Sequence, residues 1–272
     1  MLKSAALLFV AIVVLAQTPE LTVTAKPRTI PPSVAAKLSP EDRELFGKLT
    51  QVGLEAAWAA TIAEGYPTCF INELAPLNTG RRMVGRARTI RYLPNRKDLR
   101  EKLYSAGPQL NYKSSEESKP GDVLVFDAGG ETHSSVTGAM TSTRLIMRGG
   151  SGVVVDGCMR DIPDLRAMPI SVYVRCGHAS SVSPILMSVD YQVPVRIGSV
   201  TVIPGDYLVG EDQGVLVIPA SIVNKVLEKA MAHDELEEFQ RYLLLQAESI
   251  YGVYPQLNEA NSRKFEEFKK KK

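Results

Sequence analysis

The sequence predicts an α/β class of fold, a layered sandwich with flanking N- and C-terminal helices. Three observations predict it. Short Val- and Ile-rich runs bounded by Gly, Pro and Asp read as strands, helical stretches lie between them, and a long charged amphipathic segment sits near the end. Strands interleaved with helices, without a clean strand–helix–strand repeat, fit a compact layered domain.

The elements follow in order. Ser39-Pro40-Glu41-Asp42 starts a helix, with Ser as N-cap, Pro at the first helical position and acids facing the helix dipole. That helix runs on through Phe46, Leu49 and Val52. A second, Leu54 to Ala63, carries the single tryptophan, Trp58, read as core. Met83 to Tyr92 alternates apolar residues with arginines and places Arg86 and Arg88 on one strand face. Asp122 to Asp127 is a strand after the Lys119-Pro120-Gly121 turn, then comes a polar loop and a helix over Gly138 to Met147. Val153 to Val155, Ile170 to Val174, Val200 to Ile203 and Val215 to Ile218 are further strands, with Pro204-Gly205-Asp206 as a turn. Ser221 to Gln246 is the long amphipathic helix, and a final helix follows Asn258.

The 272 residues, 44% hydrophobic and 23% charged, supply ample core. A net charge of +2 argues against a nucleic-acid partner, and Lys269 to Lys272 read as a solvated tail. Lys3 followed by the uncharged run Ala5 to Ala16 reads as a signal peptide over residues 1–16, cleaved before Gln17. The run is short for a membrane span, so no span is expected in the mature chain, although an uncleaved N-terminal anchor is the competing reading. Export to the periplasm or the medium follows. Residues 17–38 read as an extended linker, 39–255 as the α/β domain, and 256–272 as a C-terminal helix with its basic tail. Cys69, Cys158 and Cys176 form neither a zinc pattern nor a disulfide framework. One pair could bridge, and the spacing does not choose which; otherwise all three are small buried hydrophobes.

Chemistry concentrates in residues 149–168, GGSGVVVDGCMRDIPDLRAM. A buried strand ends at Asp156-Gly157 and is followed by Arg160-Asp161. Polar residues just beyond a strand's carboxyl end are where α/β proteins hold ligands. Arg160 offers a fork of donors for a carboxylate, and Asp161 a hard oxygen for Mg²⁺ or Mn²⁺. The alternative is a helix start with an ordinary Arg–Asp pair. Upstream, Gly138-Ala139-Met140-Thr141 opens a helix whose free amides can receive a carboxylate or phosphate.

In this order, GDVLVFDAGG, GAMTSTR, GVVVDGCMRDIPDLR and PGDYLVGEDQGVLVIP resemble the RraA-like family, which includes 4-hydroxy-4-methyl-2-oxoglutarate aldolase and some oxaloacetate decarboxylases. The resemblance spans about Met83 to Pro219. It implies a swivelling-domain-like β/α sandwich assembled as trimers or hexamers, with a small 2-oxo acid bound at a subunit interface. Arg160 matches the arginine that holds the substrate and steadies the developing enolate, and Asp161 the aspartate that anchors the divalent metal. The amides around Gly138 to Thr141 match the nest for the substrate carboxylate. A late-helix acid, Glu235 or Glu238, is expected to enter the neighbouring site. One departure stands out: the aldolase pattern has an acid directly after the helix-opening Gly, and this chain has Ala139. His133, in the nearby loop, is a candidate acid or base to compensate. The rival implications are a regulator of ribonuclease activity acting by protein contact, and an exported oligomer that binds a carboxylate without catalysis.

Overall fold

A computed structural model of the chain describes residues 37–182 and 185–271. The expected signal peptide and most of the expected linker lie outside the described residues. The chain opens with α1 (Pro40–Gln51) and α2 (Leu54–Ala63), then β1 (Phe70–Ile71), β2 (Ala75–Pro76) and β3 (Met83–Pro94). Next come α3 (Lys97–Ser105), α4 (Leu110–Glu116), β4 (Asp122–Thr137), α5 (Ala139–Arg148), β5 (Gly152–Met159), α6 (Ile162–Ala167) and β6 (Ser171–Gly177). The chain continues with β7 (Leu186–Tyr191), β8 (Val195–Ile197), β9 (Val200–Val202), β10 (Tyr207–Glu211) and β11 (Gly214–Ile218). It ends with a short 3₁₀ turn, α7 (Val223–Leu245) and α8 (Glu259–Lys271).

The first helix starts as its residues dictate: Ser39 Oγ accepts from the Asp42 amide at 3.1 Å, with Pro40 next and two acids in the first turn. In α2 the alanines 56, 57 and 60 are buried in one cluster with Val226, Leu227 and Ala230 of α7. Trp58, expected in the core, stands 42% exposed instead. The small-residue face of α2 is the one that packs on α7, and the indole lies off it.

Eight strands run in the order β1-β11-β10-β3-β4-β5-β6-β2, with β7 pairing the far end of β3. The β3–β4, β4–β5 and β5–β6 pairs are parallel. Helix α5 links β4 to β5, and α6 links β5 to β6, so the chain does contain the strand–helix–strand repeat that the sequence reading did not find. Two features hid it. The stretch Glu131 to Thr137, read as a polar loop, continues β4 through irregular register against β5, and α6 is only six residues long. The sequence reading also passed over β10, which follows the Pro204-Gly205-Asp206 turn.

Alternation along these strands sorts side chains into two cores. Val123, Val125 and Val154 point to one face, where Val195, Ile197, Val200 and Val202 of the β8–β9 hairpin cover them. Leu124, Phe126, Val153 and Val155 point to the other, beneath Leu145 of α5 and Leu165 of α6. A small separate cluster of Phe239, Leu243 and Val253 with Phe265 and Phe268 joins α8 to the end of α7. Arg86 and Arg88 each find an acid, Asp42 at 2.8 Å and Asp122 at 2.7 Å.

Cys158 and Cys176 form a disulfide between β5 and β6, at positions paired in register. Cys69 is free and buried, and burial pushes its thiol up to about 11. The bridge spans 18 residues of sequence, so chain-entropy reasoning assigns it about 3 kcal/mol. Denaturant unfolding with and without reductant should show a loss of that order, and the Cys158→Ser, Cys176→Ser double variant should match the reduced protein.

Candidate functional site

Strand β5 is buried through Met159, and the chain then leaves it in a single sharp turn. Asp161 makes that turn, with φ 60° and ψ 36°, and α6 begins at the next residue. Among non-glycine residues Asp tolerates the left-handed region better than most, yet the conformation still costs of order 1 kcal/mol. The turn swings the carboxylate toward the start of α5. Asp161 Oδ2 accepts from the Ala139 amide at 3.0 Å, and Arg160 Nε lies 3.6 Å from the same oxygen. The Arg160 amide donates to Thr137 O at 3.1 Å, tying the turn to the end of β4.

Gly138 makes this convergence possible. Its φ of −167° is ordinary extended backbone; what matters is space. A Cβ there would lie 2.5 Å from Asp161 Oδ2 and 2.7 Å from Arg160 Cγ. With Ala139's amide taken by Asp161, the first-turn amides of α5 with no acceptor among the described residues are those of Met140 and Thr141. The Thr141 hydroxyl meets that of Thr137 and donates to Gly138 O at 3.0 Å, closing the base of the turn.

Beside this turn lies a cavity of about 410 Å³. Gly138, Met140, Thr141 and Arg160 line it from one set of elements; Arg100, Tyr104, Asn111 and Tyr112 line it from α3 and α4. It sits beyond the carboxyl end of a parallel strand, where open α/β sheets hold ligands. The side chains of Arg160 and Asp161 are 45% and 36% exposed, so the pair is open rather than sealed.

The structure thus gathers most of the sequence-predicted residues at one place. Gly138, Met140, Thr141 and Arg160 face the cavity, while Asp161 and Ala139 adjoin it. His133 is not brought there: its side chain is 83% exposed and lies 3.0 Å from Glu131 Oε1. Glu235 and Glu238 lie on α7 and do not line this cavity within the chain. Asp156, at the expected strand end, is buried in the strand, pairs with Arg175 and accepts from the Gly198 amide at 2.9 Å. Asp127, its carboxyl pushed up chiefly by burial, accepts from the Arg196 amide at 3.1 Å. Both carboxylates brace the β8–β9 region. Sequence reasoning missed Arg100, Tyr104, Asn111 and Tyr112, because α3 and α4 were not recognised as helices. The signal was the four-residue spacing of Arg100 and Tyr104, which places them on one helix face.

Fold and site together define an α/β protein with a polar cavity where its parallel strands end and the helix α5 begins. The family described as RraA-like (Aldolase/RraA) matches residues 49–217, and the chain belongs to that family. A Halalkalibacterium halodurans protein provisionally named 4-hydroxy-4-methyl-2-oxoglutarate aldolase is 33% identical over 175 residues, 63% of this chain and 77% of that one. The 4-hydroxy-4-methyl-2-oxoglutarate aldolase of Thermus thermophilus is 29% identical over 138 residues, 51% of this chain and 76% of the relative. The crystal structure of Streptomyces coelicolor RraAS2, described as an unusual member of the RNase ES inhibitor RraA protein family, superposes with a TM-score of 0.66. It is 32% identical, over 73% of this chain and 97% of its own.

The crowding at Gly138 sets a stability test. Gly138→Ala should lower unfolding free energy by about 1–3 kcal/mol, the usual cost of overpacking. Gly107→Ala, where an added Cβ meets nothing within 4 Å, should change it by no more than about 0.5 kcal/mol. Denaturant titration of the two variants checks the contrast.

Proposed function

We propose that the protein is a divalent-metal-dependent carbon–carbon lyase acting on small 2-oxo acids. It would release pyruvate by retro-aldol cleavage of 4-hydroxy-4-methyl-2-oxoglutarate-type substrates, by decarboxylation of oxaloacetate, or both. The supporting observation is the convergence of the Arg160 guanidinium, the Asp161 carboxylate and two free helix amides at one side of the cavity. Two relatives named for the aldolase activity point the same way.

Asp161 suits a hard cation. Its Oδ1 has no hydrogen-bond partner among the described residues, and the side chain is open to the water that would complete a shell. Mg²⁺ and Mn²⁺ accept such sites, keeping several waters and needing one or two protein carboxylates. Ala139 supplies no second carboxylate, so Asp161 would hold the ion with water. Once bound, the ion would supply Lewis acidity at the substrate's ketone oxygen.

The remaining roles belong to the chain itself. The amides of Met140 and Thr141, at the positive end of α5, would receive the substrate carboxylate. Arg160 would face the ketone oxygen and stabilise the negative charge that gathers there as the C3–C4 bond breaks. Retro-aldol cleavage and decarboxylation both place charge on that oxygen, so the same residues serve either. In an assembled trimer or hexamer, Glu235 or Glu238 would reach a neighbour's cavity. A second reading, a non-catalytic oligomer that binds a carboxylate ligand, is favoured by Ala139, which leaves the aldolase pattern short of an acid.

Pyruvate release from oxaloacetate and from 4-hydroxy-4-methyl-2-oxoglutarate tests the lyase. Activity should require Mg²⁺ or Mn²⁺ and vanish with EDTA. Asp161→Asn, which keeps a residue tolerant of the left-handed turn, should retain the fold by circular dichroism and lose the metal-dependent activity. Arg160→Gln should lower kcat by about 10²–10³-fold. Absence of release from both substrates with either metal would favour the binding reading.

A further inference from the structure

The cavity holds a second cation that the reading above does not use. Arg100 lies on α3, half-buried, with its guanidinium carbon 5.3 Å from the centroid of the Tyr104 ring. Its neighbours on the helix take the nearby acids: Arg96 pairs with Asp98, and Lys97 with Glu101. Among the described residues no carboxylate pairs with Arg100. It lines the same cavity as Arg160, and the lining contains two arginines and no acidic side chain. One substrate carboxylate, with the charge that develops on its ketone, answers the Arg160 end alone. The charge at Arg100 is left without an anion.

A guanidinium stacked on a ring is held in place, so its donors are preorganised for a planar acid group. The alternative use, a surface ion pair, is the one its neighbours have taken. We propose that Arg100 is a specificity-determining residue: it receives a second acid group, at the end of the substrate remote from the 2-oxo acid, and so selects dianionic 2-oxo diacids over 2-oxo monoacids. This rests on the placement of the 2-oxo acid at Arg160 given above. Tyr104 is the positioning residue that holds the guanidinium toward the cavity.

Binding measured without turnover separates this proposal from the reaction. Calorimetry on the full chain with Mg²⁺ would compare 2-oxoglutarate, a diacid, with 2-oxobutyrate, a monoacid. The native protein should favour the diacid by about tenfold or more, the range of a charge-assisted hydrogen bond. Arg100→Gln should erase that preference by weakening the diacid alone, Arg100→Lys should restore part of it, and thermal unfolding should show all three proteins folded. For oxaloacetate, Arg100→Gln should raise KM with kcat within a few-fold. No diacid preference in the native protein, an unchanged preference in Arg100→Gln, or equal weakening of both acids would overturn the proposal. An Arg100-dependent preference without pyruvate release would leave it standing and remove the lyase reading instead.

Discussion

One hydrogen bond organises the functional end of this molecule, that from the Ala139 amide to the Asp161 carboxylate. Each partner stands at the start of a helix, α5 or α6, where backbone N–H groups carry partial positive charge. Two such ends brought together repel, and a carboxylate set between them removes much of that repulsion. The backbone of Asp161 bears a left-handed strain to place it there, and Gly138 gives up its side chain to admit it. Arg160 is carried into position by the same turn.

The turn is held from behind by the sheet. Parallel strands buried on both faces need apolar side chains at nearly every position, and β4 and β5 meet that need through Phe126 and Val155. Past those points the pairing loses regular register and β4 turns largely polar, while β5 stays buried to its last residue, Met159. The buried core therefore ends where the cavity begins, and the chemistry-bearing side chains emerge from a rigid platform. The relation to RraAS2 over 97% of that chain reflects this common platform and leaves open what each member does with it.

Much of this was legible in the sequence. The Ser39 cap, the first two helices and the Arg160-Asp161 pair could be read because their signals are local: a cap, a periodicity, a strand followed abruptly by charge. What escaped depends on tertiary context. Residues Glu131 to Thr137 look like a loop, since their polar side chains are accommodated by irregular pairing that no local rule encodes. The alanine face of α2 decides where Trp58 points, and that face is defined by α7, some 170 residues later. The choice of Cys158 with Cys176 follows from the parallel pairing of β5 with β6, which spacing alone does not specify. Arg100 escaped because a short polar helix lacks the apolar stripe that marks longer ones.

The covalent link between β5 and β6 has a geometric consequence of its own. Side chains alternate along a strand, so sliding β5 by one residue would exchange its two faces and turn Arg160 away from the cavity. Backbone hydrogen bonds alone leave such a slip as a competing alignment of two Val-rich strands. A sulfur–sulfur bond between Cys158 and Cys176 fixes the alignment two residues before the arginine. It acts as a registration pin, setting the phase of the strand at the point from which its functional end is measured.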